Sequence, residues 1–218
     1  MADLAVAASL SENVRTGDLV LFNQRCDALA STPLFAAVCA VRKYGISHSG
    51  RGAFDHVGVV VRNPRTNVPW LLEGRAHSVR LVPFEEAIMD APASFSEAIL
   101  IRLRTERHAG MEAEAQGYVA ELQLQPVKRC AHMRKRITPT VAQAWRAAGS
   151  DGCTPVQRYG HADDPCFGAN LVLGLYSRLG LVSKADAALC WTPLGLRSRE
   201  FRKRLVAGAR FEEEIGIM

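Results

Sequence analysis

Aromatic residues make up only 7% of this 218-residue chain, and no apolar run approaches the roughly 20 residues that cross a bilayer. The second shortage excludes a membrane-spanning helix. The first means that no aromatic-rich nucleic-acid module accompanies the basic residues. Cysteine occurs six times, at Cys26, Cys39, Cys130, Cys153, Cys166 and Cys190, but never in the paired short spacing that zinc sites use. The N-terminal stretch Met1-Ala-Asp-Leu-Ala-Val-Ala-Ala-Ser-Leu10 lacks both a basic n-region and a long apolar h-region. A short helix or frayed tail is expected there rather than a secretory signal. Without secretory features the cysteines read as reduced thiols acting as small buried hydrophobes, which points to an intracellular, cytoplasmic setting. No motif implies a metal ion or an organic cofactor.

What the chain has is an ordinary globular balance of 48% hydrophobic and 22% charged residues with a net charge of +5. That suits one domain over residues 1–218. Its basic excess is local. Lys128, Arg129, Arg134, Lys135 and Arg136 form one cluster, and Arg197, Arg199, Arg202, Lys203 and Arg204 a second. Such clusters can meet an acidic partner or nucleic acid. With no aromatic partners interleaved, they read first as solvated faces.

Along the chain the pattern is mixed α and β. Strands are expected at residues 18–22, 55–61, 69–73, 78–82 and 97–103, and residues 210–215 are expected to close the sheet. The β-branched run ending at Asn63-Pro64 pairs naturally with residues 69–73 as a hairpin. Helices are expected at 33–44, 84–89, 106–124, 141–148, 167–179 and 197–206, with Gly180 stopping the fifth. Gly174, inside that helix, is expected to allow close packing on the sheet. Residues 105–164 read as an irregular, partly helical insertion within an α+β fold whose antiparallel sheet packs against helices.

Thiol hydrolysis needs a cysteine where its thiolate is stabilised, a histidine to take the proton and a polar group to orient that histidine. His56, opening a strand, and Glu73, ending the next, point the same way if the two strands pair in suitable register. The helix beginning near Phe167 would then lie on that sheet face. His48 and His161 read as loop residues. Cys26, Cys39, Cys130, Cys153 and Cys190 read as packing residues.

The ordered segments Gly17-Asp-Leu-Val-Leu-Phe22, Phe54-Asp-His-Val-Gly-Val-Val-Val61, Leu71-Leu-Glu-Gly74 and Phe167-Gly-Ala-Asn-Leu-Val172 resemble the permuted papain-fold amidases. These are the circularly permuted branch of the NlpC-like superfamily and more distant kin of lecithin retinol acyltransferases. The resemblance runs from Gly17 to Pro193 and is weakest between Arg107 and Asp164. It implies a permuted papain-like fold, His56 as general base and Glu73 as its orienting acid. It aligns Asn170, Leu171, Val172, Tyr176, Gly180 and Leu181 with the family's helix and puts Gly168 on the nucleophile, where the family has cysteine. Cys166 lies two residues away, about 6–7 Å along extended chain. It follows Asp163, Asp164 and Pro165, whose acidic side chains oppose a thiolate.

Two functions follow from the resemblance. One is a catalytically degenerate module that binds a peptide, acyl or amide ligand or a protein partner. The other is an active cysteine amidase, esterase or acyltransferase using Cys166 with His56 and Glu73. Association with phosphate or nucleic acid through the basic clusters is a third, marked by steep salt dependence.

Overall fold

The computed structural model describes residues 4–26, 54–75, 78–108, 110–124, 168–189 and 191–218. The six strands are β1 (Leu19–Gln24), β2 (His56–Arg62), β3 (Pro69–Arg75), β4 (Ser78–Pro83), β5 (Phe95–Arg104) and β6 (Arg210–Gly216). They form one sheet in the order β4-β3-β2-β1-β5-β6, and every pairing is antiparallel. The expected α+β class and the β2–β3 hairpin are therefore present. Asn63 explains the turn: its side-chain Oδ1 accepts from the backbone N–H of Arg65 at 2.8 Å and of Thr66 at 3.2 Å. Asn67 closes it at φ 57°.

Residues directly opposite in the register share a face. One face presents Val20, Phe22, Val60, Leu71, Val82, Ala98 and Leu100 to a core completed by Ala7, Val14, Phe84, Ile88 and Ala91. The last five come from, or directly follow, helices α1 (Leu4–Asn13) and α2 (Phe84–Ser94). The other face presents Leu19, Leu21, Val57, Val59, Val61, Leu72, Ile99, Ile101 and Leu103. It is covered by α3 (Met111–Leu124), α4 (Gly168–Arg178) and the segment behind them. In α3 the buried residues Met111, Ala115, Val119 and Leu122 recur at helical spacing.

Helix α4 ends as expected at Gly180, φ 68°, with Leu181 N–H donating to Tyr176 O at 2.8 Å and Gly180 N–H to Ser177 O at 3.2 Å. Three short helices follow: α5 (Lys184–Ala187), α6 (Pro193–Leu196) and α7 (Arg199–Arg202). Each starts on its own hydroxyl cap, Ser183, Thr192 and Ser198 in turn.

Several expectations are corrected. The helix expected at 84–89 runs 11 residues, through Pro92, to Ser94. That expected at 106–124 begins at Met111, because Arg107 reaches back to the carbonyls of Thr16 (2.8 Å) and Leu103 (3.3 Å). The helix expected at 197–206 is four residues long: the Ser198 cap starts it at Arg199, and it ends at Arg202 with Lys203 as C-cap. A Cβ on Gly174 would collide with the Tyr118 side chain of α3, so this glycine serves helix–helix rather than helix–sheet contact. Cys26 is disulfide-bonded, so the reading of all six cysteines as reduced thiols fails there. The expected helices at 33–44 and 141–148 lie outside the described residues.

Candidate functional site

The register places Phe22 opposite His56, Gly58 opposite Glu73, and Glu73 opposite Arg80. His56, Gly58, Glu73 and Arg80 therefore share the face that α1 and α2 cover. Glu73 stands diagonally across from His56, within reach of its ring. The two meet as expected, His56 Nε2 to Glu73 Oε2 at 2.8 Å. Side-chain exposure is 14% for His56 and 3% for Glu73. Gly58 leaves room on this face for Leu71, whose Cδ1 would lie 2.8 Å from any Cβ added there.

An ionised carboxylate buried this deeply needs partners of opposite charge or hydrogen-bond donors. Glu73 has the His56 ring on Oε2, and Arg80 Nη1 lies 3.6 Å from Oε1. Arg80 Nη2 lies 3.7 Å from Glu86 on α2. The His56 ring also packs beside a stacked aromatic pair: it lies 5.5 Å from Phe95 at 15° and tilts against Phe22 at 5.8 Å, with Phe22 and Phe95 4.6 Å apart. An ionised carboxylate only accepts, so with Glu73 ionised Nε2 is the donor of this contact, and a neutral ring would then carry its lone pair on Nδ1. Chemically, the pair can orient an imidazole and present one basic nitrogen.

Gly168 is placed differently. It opens α4 on the opposite face, against Val57. A Cβ at position 168 would lie 2.9 Å from the Val57 carbonyl oxygen and 3.2 Å from its Cγ1. The expectation that this helix lies on the His56 face is thus corrected, and alternation along β2 is the reason. His56 and Val57 are neighbours in sequence and point to opposite sides of the sheet. Cys166, His48 and His161 lie outside the described residues.

The Arg80 contribution was missed in the sequence. Its signal was present in the even spacing of β3 and β4, which puts Arg80 across from Glu73 once the hairpin register is known.

A second polar cluster is buried on the α4 side. Asp18 accepts from the backbone N–H of Arg15 and of Leu103, both at 2.8 Å, and lies 4.0 Å from Arg107 Nη2. Burial pushes its carboxyl up to about 6, outweighing those N–H groups and Arg107, which pull it down. Tyr176 is fully buried and donates to Gly17 O at 2.6 Å; burial, reinforced by Asp18, holds its hydroxyl well above the usual range. These groups tie α4, the end of β5 and the segment after it to the start of β1, which is a structural role.

Of the second basic cluster, Arg197 and Arg202 pair with Glu214 (2.6 and 3.3 Å), Arg204 with Asp186 (2.8 Å) and Glu200 (3.0 Å), and Lys203 with Glu200 (3.9 Å). Three carboxylates thus serve four of the five basic side chains, and Arg199 has no ion pair among the described residues, so this cluster keeps a net positive charge. The first cluster lies outside the described residues. Two surface hollows of about 600 and 310 Å³ flank Arg202 with Phe211, and Arg107 with Leu181; neither is lined by His56 or Glu73. Among the described residues, no group of three His, Cys, Asp or Glu side chains could hold a metal ion. No described helix is long and apolar enough to cross a membrane. Comparison with protein-family models, curated proteins and solved structures finds no match to this chain.

Proposed function

We propose that this chain is a catalytically degenerate, permuted papain-like module that binds a peptide, acyl or amide group, or a protein partner, on its His56–Glu73 side. The observation that carries the reading is the position of Gly168. It lacks a side chain, and it faces Val57 on the far side of β2 from the imidazole. A Cβ at 168 would press on the main chain of β2 at Val57, so a side chain there is not accommodated without a shift. The imidazole is held ready, with a basic nitrogen that can accept from an amide N–H or a hydroxyl of a ligand.

One observation favours a second reading. A buried carboxylate orienting a histidine is the arrangement a thiol hydrolase uses. In that reading His56 takes the proton of Cys166, the thiolate attacks a carbonyl carbon and the leaving group departs with a proton. Water then releases the acyl group.

Site-resolved iodoacetamide alkylation, read by mass spectrometry near neutral pH without reductant, separates the two. The expected outcome is uniformly slow thiols, unchanged in His56→Ala, with Cys26 unlabelled because it is disulfide-bonded. A fast Cys166 that slows at least tenfold in His56→Ala overturns the binding reading and establishes the hydrolase one.

A further inference from the structure

The guanidinium of Arg80 is split between two carboxylates, Nη1 facing Glu73 Oε1 at 3.6 Å and Nη2 facing Glu86 Oε1 at 3.7 Å. The first belongs to the site and the second to the first turn of α2. Four side chains from β2, β3, β4 and α2 thus form one alternating row: His56, Glu73, Arg80, Glu86. A cation beside a buried carboxylate favours its ionised form, which can only accept. Arg80, at ion-pair distance from Oε1, thereby holds Glu73 as the acceptor that meets the ring through Oε2. Among the described residues, Asp55 accepts from Gln24 N–H at 2.8 Å, and Glu97 stands opposite Asn23 in the β1–β5 register.

We propose that Arg80 is a positioning residue for the His56–Glu73 pair, anchored from behind by Glu86, and that it keeps the His56 proton on Nε2 and the lone pair on Nδ1. The inference builds on reading His56 as the functional histidine, yet it concerns the ring and not a thiol. Its failure is therefore distinguishable from that of the proposed function.

The test is long-range ¹H–¹⁵N NMR on the full chain with ¹⁵N-labelled histidine, at a pH where the ring is neutral. His56→Ala assigns the signal. The expected spectrum shows His56 with its proton on Nε2, slow to exchange with water. In Arg80→Gln that proton exchanges at least several-fold faster and the Nε2–H signature mixes with Nδ1–H. In Arg80→Lys, which restores the charge, most of the signature returns. Glu86→Gln gives a weaker form of the Arg80→Gln result. A spectrum unchanged in Arg80→Gln, or a wild-type ring with its proton on Nδ1, overturns the proposal. Circular dichroism and the unfolding midpoint show whether each variant is folded. Should Arg80→Gln fail to fold, the Glu86→Gln spectrum decides, and an unchanged exchange rate there overturns the proposal.

Discussion

Gly168 and Gly117 are both helical, yet a methyl group added at each meets different surroundings. At Gly117 the nearest atom is Arg178 Nη2 at 4.0 Å, the end of a flexible side chain. At Gly168 it is the Val57 carbonyl oxygen at 2.9 Å, which belongs to a strand paired on both sides. Alanine in place of glycine in a helix is worth up to about 1 kcal/mol, whereas overpacking costs about 1–3 kcal/mol. Gly117→Ala is therefore expected to raise the unfolding free energy by about 0.5–1 kcal/mol, and Gly168→Ala to lower it by about 1–2 kcal/mol. Urea unfolding of the two variants checks both signs.

Among the elements, α1 depends on one side chain from the opposite end of the fold. Arg62, at the end of β2, donates from Nη2 to Ser11 O (2.6 Å) and Glu12 O (3.1 Å) and from Nε to Val14 O (2.6 Å). Its Nη1 reaches Asn67 O at 2.8 Å. These are the orphan carbonyls at and just past the C-terminus of α1, where a cation also meets the negative end of the helix dipole. Replacing the fork by Arg62→Met leaves them unpaired, at an expected cost of about 2–4 kcal/mol. Arg62→Lys recovers part of it. Hydrogen exchange is the discriminating measurement: amides of residues 4–13 lose protection first, while those of β2 and β5 retain it.

The elements also show what could be read without coordinates. The β2–β3 hairpin was legible because a β-branched run, an Asn-Pro turn and a second apolar run leave one register that buries both strands. The diagonal meeting of His56 and Glu73 follows from that register. The face chosen by α4 was not legible. Ala169, Leu171, Val172, Leu173, Leu175 and Tyr176 are buried while Asn170, Gly174, Ser177 and Arg178 mark one less buried stripe, so the apolar side of the helix is plain from the sequence. A helix pattern does not say which side of a sheet that apolar side will cover. Ser198 was misread as a helix interior residue because its neighbours are good helix formers; its hydroxyl instead accepts from Phe201 N–H at 3.1 Å and starts a new turn.

For the whole molecule, the pH dependence of stability is set in part by Asp18. Its folded-state value of about 6 lies above the ordinary 3.8, so the folded state binds a proton more tightly than the unfolded chain. The sign follows directly: this contribution is fully present below 3.8 and is lost as pH rises through about 6. At about 1.4 kcal/mol per unit, the loss across that window is about 3 kcal/mol. Urea unfolding between pH 4 and 7 is expected to show a falling stability that flattens in Asp18→Asn. A wild-type profile flat over this range would contradict the burial-driven rise.

The sheet separates two cores, and β2 carries the imidazole on one face while the opening of α4 rests on the other. Gly168 bears on the main chain at Val57, one peptide bond from His56. A ligand seated against the ring is therefore expected to shift the backbone amide signals of Gly168 and Ala169 together with those of β2, and amides that stay put would show the two surfaces to be independent.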